Sequence, residues 1–261
     1  MFTSRRIDLL KWYARRPRMW KQFFRVARQK TVAETADPSL AIAARHWCEE
    51  RAISIAEAVE RLTGTPAIRS IESECPAEVA AGRAAQDSCP AKMGAGANTD
   101  LLYSLAEGIE CTKAIETGVA FGWSSFALLQ SVSKRGGKLV STDMPYPLRE
   151  NDRFVGCVVP PRLRRHWRLL RYPDRDGLPM ALGELGTIDL CHYDSDKSEA
   201  GRLFAYPLLW DALRPGGFFL SDDVQDNFGY RDFCASLGLA PLVVKVPDVA
   251  GSKFVGIAVH P

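Results

Sequence analysis

Ala114-Ile115-Glu116-Thr117-Gly118-Val119-Ala120-Phe121-Gly122-Trp123-Ser124-Ser125 decides the reading of the fold. Ala114–Thr117 reads as a short buried strand. Gly118 permits a tight turn, and Gly122 lets the backbone approach a ligand with no Cβ in the way. Ser124 and Ser125 open a helix, where free N–H groups and the helix dipole suit a carboxylate. Strand, glycine turn and helix together form the repeating unit of an open α/β sheet. Such sheets bind ligands at the carboxyl ends of their strands.

Outward from this loop, Lys138–Thr142 reads as the next strand and ends at Asp143, 21 residues beyond Gly122. An acid at a strand tip is placed to accept hydrogen bonds from both hydroxyls of a ribose. That fits a nucleoside-containing cofactor, either a dinucleotide or S-adenosylmethionine. Two features favour S-adenosylmethionine. The loop has two glycines four apart instead of a G-x-G-x-x-G cradle. It also begins with Glu116, which would repel a pyrophosphate but can hold an ammonium group, directly or through water.

Further strands are read at Trp167–Leu170, Ile188–Tyr193 and Phe218–Ser221, with helices at Ser124–Ser133, Glu199–Leu213 and Tyr230–Leu237. Leu242–Val246 and Phe254–Val259 read as a terminal hairpin. The predicted class is α/β: a Rossmann-like, doubly wound, mostly parallel sheet with a C-terminal antiparallel strand, plus an N-terminal helical extension. Three regions are expected. Residues 1–66 form a basic helical extension, with a break at Pro17 and a second helical stretch over 38–62. Residues 67–97, rich in Ala, Gly and Ser, form an irregular connection or lid. Residues 98–261 form the cofactor-binding domain.

The net charge of +3 is unevenly spread. Residues 1–30 carry ten Lys/Arg (Arg5, Arg6, Lys11, Arg15, Arg16, Arg18, Lys21, Arg25, Arg28, Lys30) against Asp8, which leaves the remainder at −6. Docking on a second subunit or on the chain itself is the first expectation for this arm. An anionic membrane surface is the second. Nucleic acid ranks last, since no aromatic-interleaved RNA-binding motif is present. No run has the length of a membrane span and no signal-like segment follows the basic start, so a cytoplasmic location is expected, with peripheral membrane contact as a variant. The seven cysteines are scattered and never paired as CxxC, which argues against a zinc site. One pairing, Cys75 with Cys89, is left open.

A second constellation lies in Ile188–Lys197 and Leu213–Asp223. Asp194 ends one predicted strand, and Asp222 and Asp223 end the next. Neighbouring strand ends lie ~5 Å apart, so these carboxylates converge. They would repel one another unless a cation or a basic group sits among them. Oxygen ligands of this kind suit Mg²⁺ or a similar divalent ion, which would bind an acceptor hydroxyl and lower its pKa. Lys197 would then take the proton. The bland alternative is that these acids cap helices and pair with arginines. Asp196 is the weakest member of the set.

With these residues in place, the sequence resembles the class I S-adenosylmethionine-dependent methyltransferases, in particular the metal-dependent O-methyltransferases of the catechol and caffeoyl-coenzyme A type. Glu116, Gly118, Gly122 and Ser124 match their first cofactor motif, and Asp143 matches the ribose-binding acid. Asp194-Ser195-Asp196-Lys197 resembles their D-x-D-K segment, in which the first Asp is a metal ligand and the Lys the base. Asp222-Asp223 sits where the family has Asp-Asn or a similar ligand pair. The resemblance covers about residues 98–223. It implies S-adenosylmethionine as cofactor, Asp194, Asp222 and Asp223 as metal ligands, and a small-molecule hydroxyl as acceptor. Residues 1–97 depart from the short helical start of the catechol enzymes. A bacterial group that methylates sugar hydroxyls has longer N-terminal regions, so a glycoside acceptor stands beside a phenol.

Three weaker features each carry a plain reading. The arginines 162, 164, 165, 168, 171 and 175 read first as a solvated helix face and second as a receptor for an acidic substrate. His192 reads first as a packed core residue and second as a base or metal neighbour. Trp123 and Tyr146 lie near the cofactor loops and serve equally as ligand contacts or as core.

Overall fold

The computed structural model describes residues 2–24, 38–91, 93–94, 98–148, 151–248 and 251–261. Its strands are β1 (Ala52–Ile53), β2 (Lys113–Thr117), β3 (Lys138–Thr142), β4 (Trp167–Leu170), β5 (Ile188–Tyr193), β6 (Leu213–Ser221), β7 (Leu242–Asp248) and β8 (Gly251–Val259). They form one sheet in the order β1-β7-β8-β6-β5-β2-β3-β4. β8 runs antiparallel to both β6 and β7, and the other pairings are parallel. The architecture is Rossmann-like, as the alternation of strands and helices predicted.

Both faces of the sheet are covered. Ala114 packs into a core with Leu101, Leu105, Phe126 and Leu129. Its neighbour Ile115 packs on the opposite side with Val140, Leu178, Cys191 and Tyr206. Successive strand residues point to opposite faces, so a strand buried on both sides reads as a continuous apolar run. Each buried Leu or Phe contributes about 1.5–3 kcal/mol of hydrophobic stabilisation. Strand order reverses between β2 and β5, and the carboxyl ends there open into the site.

The extension is more closely woven into this sheet than a helical appendage would be. Ala52 and Ile53 pair with Val243 and Val244, so β1 becomes the sheet's edge strand. The helices on either side of it were expected and are present, at Pro38–Glu49 and Ile55–Thr63. The second starts where Ser54 accepts a hydrogen bond from Glu57 N (3.2 Å) and stops at Gly64, in the left-handed region. Residues 67–97, read as irregular, contain helices Ile71–Glu74 and Pro76–Asp87. Pro76 sits at a helix start, where its missing N–H costs nothing, and an Ala-rich run follows. Positions 92 and 95–97 lie outside the described residues.

In the arm, helix Phe2–Ala14 ends ahead of Pro17, which opens a separate 3₁₀ turn. Tyr13 and Met19 are buried, whereas Ile7, Leu10, Trp20 and Phe24 are exposed. Arg25, Ala27, Arg28 and Lys30 lie outside the described residues. No described helix is long and apolar enough to cross a membrane. All seven cysteines, Cys75 and Cys89 among them, are free. The arginine run is not one helix face. It spans the 3₁₀ turn Pro161–His166, β4, a loop and the first turn of helix Asp174–Leu185, and its members find separate partners: Arg162 meets Glu78, Arg168 meets Glu184, Arg171 meets Asp143 and Asp152, and Arg175 lies over the Phe204 ring.

Candidate functional site

β2 leads into the turn Gly118–Gly122, and helix Trp123–Val132 leaves it. Gly118 has φ +78°, and a Cβ there would lie 2.3 Å from the Asp194 carbonyl oxygen. Its hydrogen therefore lets the loop after β5 close against the loop after β2. Gly122 has φ +96°, and a Cβ there would meet Gly156 Cα at 2.9 Å. This glycine is needed for chain packing as well as for its place on the cleft wall. Ala120 also adopts positive φ, 47°, a conformation that costs a non-glycine residue roughly 1–2 kcal/mol.

Two adjoining clefts open at this end of the sheet and share Gly118, Tyr146, Asp194 and Ser195. The first, of about 550 Å³, is walled by the glycine turn, Ser124, Lys197, Asp223 and Lys253. The second, of about 330 Å³, is walled by Asp143, Met144, Asp174, Phe204 and the arm residue Gln22. Helix Pro38–Glu49 packs on the turn Val224–Asp226, which brings Arg45 to the rim of the first cleft. Trp123 packs, half-buried, against the core. It lines that cleft and donates its indole N–H to Gln86 of helix Pro76–Asp87 at 2.6 Å. Tyr146 lines both clefts.

Asp143 sits where expected, at the tip of β3, but is already engaged. Its Oδ2 accepts the Val119 and Ala120 amides at 2.9 and 3.1 Å, and its Oδ1 accepts Arg171 at 2.6 Å. Burial raises its pKa against the opposing pull of Arg171 and the two amides. Asp143 is thus a clamp on the glycine turn as well as a wall of the second cleft. Glu116 lies behind the turn, fully buried, and lines neither cleft. Its Oε2 accepts from Ser125 at 2.5 Å and Ser141 at 2.7 Å, and its Oε1 faces His192 Nδ1 at 3.7 Å. A direct grip on a cofactor ammonium is not available to it in this arrangement. Its carboxylate instead fixes the start of the helix to β3.

The acids of the second constellation converge as the strand ends dictate. Tyr193 pairs with Ser221, and the Asp222 amide donates to Tyr193 O at 2.9 Å. His192, Asp194 and Asp222 each offer a ligand atom within 4.8 Å of the others. Asp223 falls outside that group. It takes φ +52°, a left-handed conformation that Asn, Asp and Gly tolerate best. Asp196 also stays apart and accepts the Ser198 amide at 3.1 Å.

Cations fill the gaps between these carboxylates. Asp222 Oδ2 pairs with Lys253 Nζ at 2.7 Å and Oδ1 with His192 Nε2 at 3.2 Å. Lys197 bridges Asp194, at 2.8 Å, and Asp223, at very short range. Burial opposes charge on His192, but the carboxylates of Asp222, hydrogen-bonded to it, and of nearby Glu116 prevail and push its pKa up to about 10. Burial likewise opposes charge on Asp222, yet His192 and Lys253 hold its carboxyl far below the usual range. Asp194 is displaced upward by burial and by the neighbouring Asp222 charge. His192 is thus the packed residue of its first reading, and its raised pKa speaks against its acting as a base. Buried Arg202 braces the whole turn, donating to the Asp223 and Asp222 carbonyls at 2.7 and 3.3 Å.

Sequence reasoning missed Lys253, Arg202 and Asp174. Asp174 starts the helix Asp174–Leu185 directly after Pro173, and it accepts hydrogen bonds from Ser195 and Thr142. Burial pushes its pKa up to about 6, helped by Asp196 and Asp143. The folded value exceeds the ordinary aspartate value of 3.8, so folding takes up a proton between them. The penalty is absent below pH 3.8 and complete above about 6. Asp174→Asn is accordingly expected to stabilise the empty protein at neutral pH by ~2 kcal/mol, after allowing for partial exposure. Urea denaturation would show the gain at neutral pH and its disappearance near the unfolded pKa. A gain of equal size at both would refute a charge origin.

Residues 115–224 match the family profile described as a methyltransferase domain. No curated protein matches the chain in sequence. In structure it is similar to cofactor-bound Rv0187 from MTB, with 19% identity and a TM-score of 0.55 over 71% of this chain and 88% of that one. It is also similar to TomG, an O-methyltransferase from Streptomyces achromogenes involved in tomaymycin synthesis and solved with SAM. There the identity is 17% and the TM-score 0.54, over 79% of this chain and 95% of that one. An O-methyltransferase from Bacillus cereus, solved with SAH, gives 16% identity and a TM-score of 0.53, over 81% and 99%. At these identities the likeness is one of fold.

Proposed function

We propose, from the match of residues 115–224 to a methyltransferase-domain profile, that the chain transfers a methyl group from S-adenosylmethionine to a hydroxyl oxygen of a small molecule or glycoside. One observation supports this most: two clefts meet at Gly118, one with carboxylates suited to a nucleoside and one walled by acid–lysine pairs. In this reading the adenosine occupies the second cleft, against Asp143 and Asp174. Gly118–Ser124 would hold the methionine end, and Asp194 and Lys197 would flank the acceptor in the first cleft. The similar O-methyltransferases solved with SAM or SAH support the cofactor assignment.

Bound there, S-adenosylmethionine supplies an electrophilic methyl group, so that a C–O bond forms as the C–S bond breaks. The protein contributes proximity and orientation. The acceptor also has to lose its hydroxyl proton. Lys197 lies between two carboxylates as an ammonium donor, a poor position for a base. Asp194 is the better acceptor, since burial raises its affinity for a proton. Lys197 then holds the resulting oxyanion. A divalent metal does not fit this arrangement: Asp222 has both oxygens engaged by cationic partners, and Lys197 occupies Asp194 and Asp223. No step here passes through a metal.

The reading is tested by calorimetric titration with S-adenosylhomocysteine. Micromolar binding is expected, and no binding to folded protein would refute it. Asp143→Ala should weaken that binding by about 2 kcal/mol, roughly thirtyfold, by removing a charged acceptor and the clamp on the glycine turn. Unchanged affinity would take Asp143 out of the cofactor site.

A further inference from the structure

β8 lies antiparallel beside β6, with Ser221 opposite Gly256. That pairing carries the beginning of β8 to the end of β6, where the acids stand. Lys253 is therefore delivered to Asp222 by sheet topology, and its side chain is nearly buried. Three carboxylates, Asp194, Asp222 and Asp223, face two ammonium groups and a histidine, each within ion-pair range of at least one acid.

We infer that the ammonium of Lys253 occupies the role of the divalent cation in this cluster, so that the site is complete without a metal. The inference deepens the methyl-transfer reading and rests on it for the acceptor's part only. The ion-pair geometry is independent of that reading. A divalent ion bound by Asp194 and Asp222 would displace Lys253 from Asp222 and Lys197 from Asp194. It would also leave the nearly buried Lys253 ammonium close to a like charge in a poorly hydrated place. Lys253 instead supplies fixed positive charge on the wall of the first cleft, close to where an acceptor oxyanion would form.

The test is Mn²⁺ uptake by the full chain after dialysis against chelator, followed by the electron paramagnetic resonance of the free ion. The wild type is expected to take up no Mn²⁺ at sub-millimolar concentration. Lys253→Met, which frees Asp222 while keeping side-chain bulk, should bind Mn²⁺ at least about tenfold more tightly than the wild type. Lys253→Arg, which keeps the charge, should remain without metal. Micromolar Mn²⁺ binding by the wild type would overturn the inference, as would a folded Lys253→Met variant with no gain in affinity. If that variant does not fold, the wild-type and Lys253→Arg titrations still decide. S-adenosylhomocysteine titrated into the same chelated wild type separates the two claims. Cofactor binding together with tight Mn²⁺ uptake sinks this inference alone, whereas absent cofactor binding sinks the methyl-transfer reading whatever the metal result.

Discussion

Asp222→Ala should cost the protein about 3–5 kcal/mol of stability, because it leaves Lys253 and His192 buried without their shared partner. The loss should depend on pH. The His192 pKa is raised from 6.5 to about 10, so its contribution is whole below 6.5 and is lost as pH rises toward 10. The Asp222 pKa is depressed from 3.8, so its contribution is whole above 3.8 and is lost as pH falls. The difference between wild type and variant should therefore be greatest between pH 3.8 and 6.5 and shrink on either side. Denaturant melts of both proteins across this range check it. A constant difference would mean that the pairs carry little charge energy.

Gly118→Ala should abolish cofactor binding and lower stability by about 3 kcal/mol or more. The left-handed φ accounts for roughly 1–2 kcal/mol of that. The rest comes from the collision of the new Cβ with the Asp194 backbone, which has to move away from β2. Gly136 provides the control. It has a similar φ of +65°, but nothing lies within 4 Å of a Cβ there. Gly136→Ala should show the backbone strain alone, and bind S-adenosylhomocysteine as the wild type does. Equal behaviour of the two variants in melting and titration would show that the contact between the two loops is unimportant.

The parts of the molecule legible in the sequence are those whose cause is local. β2, β3 and β5 each hold a short apolar pair, Ala114-Ile115, Leu139-Val140 and Leu190-Cys191, and are followed by Gly or Asp, so strand content and turn chemistry identify them. The convergence of Asp194 and Asp222 followed from strand adjacency alone. β1 was not legible, because two residues between helices carry no pattern, and their partner lies at the far end of the chain. Lys253 was hidden for the same reason: only the antiparallel pairing of β8 with β6 brings it to the acids. Glu116 was placed at the ligand because strand tips bind ligands. It sits one pleat too early and points into the interior instead. The helix Pro76–Asp87 had a readable start in Cys75-Pro76 and a first-turn Glu78, but its Ala and Gly content suggested a loose segment.

Ala52 and Ile53 leave the ribosome about 190 residues ahead of Val243 and Val244, the residues they pair with. At roughly 5–20 residues per second, they wait about 10–40 s for that partner. Throughout this interval the nascent chain holds the two residues with their hydrogen-bonding groups open to any other strand nearby. A chain stalled before Leu242 would keep them so indefinitely, which makes the region around residues 50–55 a natural target for chaperone binding during translation.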